Sequence, residues 1–181
     1  MPAKELKDPR ARILEAADRL FYRDGVRATG TEKIMAESGV AKATFYWHFD
    51  SKENLVLAYL EDRERQLWEY INTPEPPGDI FVALQKLERA MNAPGVIGCP
   101  FLRVASEFPD MAHPLHQRVI AHKDRMVAFF SALLKPLHKD HKMAATQLLA
   151  LADGCLSSRM VYGETRRVAL IKPAELLLAS R

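Results

Sequence analysis

Apolar residues recur three and four positions apart along most of the chain, and no strand-length run alternates apolar with polar. Ile13, Leu14, Ala17, Leu20 and Phe21 mark a first helix, with Asp8 as its cap, Pro9 in its first turn and Gly25 at its end. Ile34 and Met35 give a short second helix its apolar side. Phe45 and Phe49, four apart, share the inner face of a third helix over 41–49. Leu55, Tyr59, Leu60, Leu67 and Ile71 trace a fourth, from Asp50 or Ser51 to about Asn72, with Asp50 and Glu53 at capping-box spacing. The charges Glu61, Asp62, Arg63, Glu64 and Arg65 are read as its solvated face. Three prolines break the chain over 73–78, and Asp79 can cap a fifth helix, Ile80 to about Met91. Further helices are expected over 101–108, from His113-Pro114 to about Lys135, over 142–162 and over 174–179.

The expected architecture is all-α. A three-helix head containing a helix-turn-helix occupies residues 1–50, and a C-terminal helical bundle for ligand binding and dimerisation occupies 51–181. In the head, Thr29 and Glu32 lie at capping-box spacing, and Ser38-Gly39-Val40 breaks the second helix with a glycine that tolerates positive φ. The third helix is too short to stand alone, so packing must hold it. With Phe45 and Phe49 inward, Lys42, Ala43, Tyr46 and Trp47 point outward. Such a face suits a polyanion better than water, and helix-turn-helix motifs place it in the DNA major groove.

Gly25, Thr29, Ile34, Gly39-Val40, Lys42, Thr44-Phe45-Tyr46, His48-Phe49 and Ser51-Lys52-Glu53 together resemble the TetR family of bacterial transcriptional repressors. The spacing from Gly25 to Lys52 fits without insertion, and the likeness covers the first third of the chain. A weaker pattern, Gly98-Cys99-Pro100-Phe101 followed by Glu107-Phe108-Pro109-Asp110 and His113-Pro114, looks like one subgroup's ligand domain. The resemblance implies a homodimer, a double-stranded operator with two half-sites and a small-molecule inducer of unknown identity, with no cofactor. It assigns Thr29, Tyr46, His48 and Lys52 to phosphates, while Lys42, Ala43, Thr44 and Trp47 face the groove or its rim, where Lys can donate to guanine and Ala or Thr can touch a thymine methyl. Ala41 replaces the family's common capping serine, at a cost of about 1 kcal/mol.

Net charge alters the picture little. The chain carries +3, and its first 60 residues hold ten Lys or Arg against nine Asp or Glu. The argument for DNA therefore rests on where charges sit. Lys4, Lys7, Arg10 and Arg12 either touch phosphate or belong to a solvated arm. No apolar run has membrane-spanning length and the start lacks an apolar signal core, so a cytoplasmic protein with reduced Cys99 and Cys155 and no membrane partner is expected.

For a ligand, Met91, Phe101, Met126, Phe130 and Met160 line a cavity or are plain core, with Cys99, Arg103 and Glu107 as polar anchors at its mouth. No metal site is assigned. Glu107, His113, His116 and His122 fall close enough for a metal-responsive alternative, though His113 also reads as a helix cap and His116 and His122 as surface or dimer contacts. Cys99, near a helix start, allows a redox-responsive alternative or is a buried inert thiol. Ala152, Gly154 and Ser157 let two copies of the eighth helix approach at the dimer seam. No Ser/His/Asp order, P-loop or GxGxxG is present, so no enzyme is expected. The other alternative is a helical small-molecule-binding protein without operator function.

Overall fold

A computed structural model describes residues 8–179, and among them the chain forms α-helices, a single 3-10 turn and no strand. The helices are α1 (Pro9–Asp24), α2 (Thr31–Ser38), α3 (Lys42–His48), α4 (Lys52–Asn72), α5 (Ile80–Met91), α6 (Pro100–Glu107), α7 (Pro114–Leu134), α8 (His141–Tyr162) and α9 (Ile171–Ala179). Lys4 and Lys7 lie outside the described residues.

The chain divides into two compact units. One comprises the chain up to Arg63 with Pro100–Val119, and the other Glu64–Cys99 with the chain from Ile120 onward. The boundary expected at 50/51 is therefore not where the units part. The first half of α4, all of α6 and the start of α7 belong with the head.

In the head, Ile13, Ala16, Ala17, Leu20 and Phe21 of α1 are buried and α1 packs on α2 and α3. Tyr59 on α4 meets Phe21 edge-on at 5.6 Å, and burial pushes its phenol pKa up. Pro9 opens α1 as expected, although Asp8 makes no side-chain cap bond. The Thr29–Glu32 capping box is not formed. Gly30 is the cap of α2, and the Thr29 hydroxyl instead donates to the Gly25 carbonyl at 2.7 Å. At α4 the cap is Ser51, whose Oγ accepts from Asn54 N at 3.0 Å, while Asp50 takes the Asn54 side-chain amide.

In the second unit, Asp79 accepts from Val82 N at 2.9 Å and starts α5 where expected. Its core joins Leu84 and Leu87 of α5, Met126, Phe130 and Leu134 of α7, Ala145, Leu148 and Ala152 of α8 and Ala174 of α9. Within the run read as a solvated face, Glu64 is buried, and its carboxylate accepts from His122 Nδ1 at 2.9 Å and from Arg125 at 3.4 Å. Desolvating a carboxylate needs a partner, and His122 on α7 supplies it. Arg63, in the head, donates to Asp18 at 3.0 Å. Ala152 is 4% exposed and faces its own core, so it does not belong to a dimer seam. Gly154 and Ser157 are exposed.

Candidate nucleic-acid interface

Phe45 and Phe49 are 0% and 4% exposed and anchor α3 to the head. Held by its inner face, α3 presents Lys42, Ala43, Tyr46 and Trp47 outward, and Thr44 and His48 are half-buried at its edges. Trp47 is 80% exposed and stands edge-on to His48 at 4.5 Å. The turn before α3 is fixed from behind. Gly39 sits at φ +64 as the left-handed end of α2 and donates to Met35 O. Arg12 donates to Ser38 O at 2.9 and 2.6 Å and to Gly39 O at 2.6 Å. These carbonyls have no partner within α2, and the guanidinium supplies one. Arg12 is thereby spent on the turn rather than on phosphate. Arg10 lies over the Phe49 ring at 5.2 Å.

Thr29 does not fit its expected phosphate role. It is 0% exposed, its hydroxyl is held by Gly25 O, and its N–H donates to Val26 O. Lys52 is half-buried at the start of α4; burial pulls its pKa down and the Glu107 charge offsets part of that. The candidate interface that remains is Lys42, Ala43, Thr44, Tyr46, Trp47, His48 and Lys52, a short cationic and aromatic surface over the buried Phe45 and Phe49. Backbone phosphates and base edges are the chemistry such a surface meets.

The model of the bacterial regulatory proteins of the tetR family matches residues 13–59, which include α2, α3 and the start of α4. Over almost its full length the chain is similar to a TetR-family transcriptional regulator from Streptomyces coelicolor, at 30% identity and TM-score 0.85, covering 94% of either chain. The chain belongs to the TetR family. A second solved TetR-family regulator, from Streptomyces avermitilis, is 32% identical with TM-score 0.80, covering 95% of this chain and 97% of that one. Among curated relatives, the regulator TtgR of Pseudomonas putida is 43% identical over 58 residues, which are 32% of this chain and span only 28% of TtgR. A TetR-family chain is a helix-turn-helix DNA-binding transcriptional regulator and not an enzyme. Among the described residues no helix is long and apolar enough to cross a membrane.

The residues expected to form one ligand pocket divide between the two units. Met91, Met126 and Phe130 are packed into the core of the second unit. Met160 is 47% exposed and lies across Gly98. Phe101 is buried in the head unit. Arg103 and Glu107 are held by the backbone of the head. Arg103 donates to Tyr22 O, and Glu107 accepts from Val26 N at 3.0 Å and Arg27 N at 2.5 Å. Cys99 is buried just before α6, with the Lys123 ammonium 3.9 Å from its sulfur and Asp153 holding that ammonium in turn. Cys155 donates to Ala169 O, and burial pushes its thiol up. A cavity of about 330 Å³ in the second unit is lined by Ile80, Phe81, Leu134, Leu137, His138, Glu175, Leu178 and Ala179, none of them expected pocket residues.

The metal grouping does not form either. His113 Nδ1 accepts from Leu115 N as the cap of α7, and His116 donates to Phe108 O at 2.6 Å. His122 is held by Glu64 and Glu107 by the backbone of the head. Among the described residues no three His, Cys, Asp or Glu side chains gather as metal ligands. Sequence reasoning missed the Arg12 clamp, the His122–Glu64 pair and the buried Arg159, which donates to Gly163 O and Ala93 O. A charged residue on an otherwise apolar helix face is the signal that can find such groups.

Proposed function

We propose that the protein is a cytoplasmic homodimeric repressor that binds a double-stranded operator with two half-sites and leaves it when a small-molecule inducer binds the second unit. The observation that carries this reading is the exposed face of α3, with Lys42, Tyr46 and Trp47 outward over buried Phe45 and Phe49. Two copies place this helix in successive major grooves about 34 Å apart. Lys42, Ala43, Thr44 and Trp47 take base edges or the groove rim, while Tyr46, His48 and Lys52 take phosphates. The dimer seam falls on the outer stripe of α8, where Gly154 has no atom within 4 Å of the position a Cβ would occupy and Ser157 is exposed. Close helix approach needs small residues of this kind. The stretch from Gly98 to Pro114 is read as the mark of one subgroup's ligand domain. Inducer release requires that the inducer bind the non-operator conformation more tightly.

The test is selection of bound sequences from random duplex DNA, with wild type beside the double variant Lys42→Ala, Tyr46→Ala. A palindromic motif for wild type that the variant loses is the expected result. No enriched motif, or equal binding by both proteins, would overturn the reading.

A further inference from the structure

We propose that Glu107, seconded by Arg103, is a positioning residue that sets where the recognition helix is presented to the operator. This rests on the dimeric operator-binding reading above.

Arg103 and Glu107 are four apart on α6 and therefore share a face. Both reach the same short stretch of backbone some 80 positions earlier. Arg103 donates to the carbonyls of Tyr22 and Arg23 in the last turn of α1. Carbonyls in a last turn have no partner within their own helix, and that end carries partial negative charge. Glu107 takes the next exposed groups of opposite character, the N–H groups of Val26 and Arg27, at 3.0 and 2.5 Å. A cation thus sits on the carbonyls and an anion on the amides, and both sets of bonds are charge-assisted.

Gly25 lies between the two grips. A Cβ there would stand 2.9 Å from Glu107 Oε1, so the carboxylate occupies space that only glycine leaves. Lys52, in the first turn of α4, lies within the field of the same carboxylate. Arg27 lies over the ring of Phe108, the residue after Glu107, at 5.1 Å. The end of α1, the turn into α2 and α6 meet at one side chain, and the first turn of α4 lies within reach of its charge. The turn it holds leads into α2, and α2 leads through Gly39 to α3, so Glu107 acts on the DNA-reading face through the backbone. The chain enters α6 directly from the second unit, at Cys99-Pro100.

A brace that only stabilises the fold and a residue that sets head position make different predictions. The experiment uses full-length wild type, Glu107→Ala, Glu107→Gln and Arg103→Ala. Duplexes carrying the two half-sites with every spacer length are offered in one pool, and the bound fraction is sequenced. Glu107→Ala is expected to keep the base preferences within each half-site, to broaden or shift the preferred spacer, and to bind the wild-type operator about tenfold more weakly. Glu107→Gln keeps one acceptor oxygen and is expected to fall between. Amide hydrogen exchange at Val26 and Arg27 should speed up about tenfold or more in Glu107→Ala, with less change in Glu107→Gln. An unchanged spacer in both Glu107 variants, with or without reduced folded protein, would overturn the proposal in favour of a plain brace. If Glu107→Ala does not fold, Glu107→Gln and Arg103→Ala decide by the same spacer readout. A wild type that selects no two-half-site motif would instead overturn the operator reading and take this inference with it.

Discussion

In the head, Arg12, Arg103 and Glu107 reach across 26, 81 and 81 positions of sequence to grip backbone carbonyls and amides. In the second unit, α5, α7, α8 and α9 meet through a continuous apolar cluster running from Ile71 to Ala174. The second unit uses the same polar device as well: Glu88 accepts from Leu170 N at 2.6 Å and Ile171 N at 2.9 Å, Lys86 donates to Ile71 O and Arg159 to Ala93 O. There, however, the gripped residue Leu170 is itself fully buried in the cluster, so apolar packing backs the bond. In the head one gripped residue, Val26, is likewise buried, while the other, Arg27, is exposed. The head has an apolar core of its own, and charged groups from α6 add grips on the turn between α1 and α2. A larger bundle is defined by volume, because close-packed interiors resist any change of shape. The head should therefore answer to single polar or backbone changes, and the bundle to lost volume.

The largest effect should come from emptying the bundle. Phe130 is 0% exposed on α7, and Phe130→Ala is expected to cost about 3–5 kcal/mol. Urea unfolding followed by circular dichroism measures this, and hydrogen exchange at Val26 and Arg27 should stay as in wild type. A loss confined to about 1 kcal/mol would mean the cluster is looser than its burial implies.

The next effect belongs to the head. Gly25 has φ +90 and ψ 160, a region essentially reserved to glycine. Gly25→Ala adds about 1–3 kcal/mol of strain. It also drives a methyl against Glu107 Oε1, which loosens the bond to Val26 N and adds about 1–3 kcal/mol. Stability should fall and exchange at Val26 and Arg27 should rise, the reverse of the Phe130→Ala pattern. If Gly25→Ala leaves those amides protected, the head is not held by the clamp and the contrast between the units fails.

The same contrast explains what could be read from the chain. The bundle's helices were legible because apolar spacing reports burial: a helix capped by Asp79 was expected from Ile80 to about Met91, and α5 spans Ile80–Met91. In the head, the outward face of α3 followed from Phe45 and Phe49 alone. The clamps were not legible. The spacing of Arg103 and Glu107 tells that they share a face but not what faces them, so pocket anchors were expected where head braces stand. Glu64 sits in a run of charges with no local sign that His122, 58 positions on, awaits it. Thr29 had a cap's spacing, yet the Gly25 carbonyl four residues back competed for its hydroxyl and won. In each case the partner lies off the element, where periodicity carries no information.

The smallest change in stability should come from the most exposed aromatic side chain of the head. Trp47 is 80% exposed and its described ring contact is with its neighbour His48. Removing it exposes little new surface, so Trp47→Ala should shift unfolding by no more than about 0.5 kcal/mol. A large apolar ring left in water on a helix that already needs Phe45 and Phe49 to hold it has no folding role to justify it. On the operator-binding reading proposed above, its contribution comes when DNA covers it, by packing on sugar or on a thymine methyl at the groove rim. Operator affinity should therefore drop while the unfolding midpoint stays put, and titration of labelled operator beside urea unfolding reads both. A drop in stability above about 1 kcal/mol with unchanged operator affinity would make Trp47 a packing residue. The face of α3 assigned to DNA would then lose Trp47.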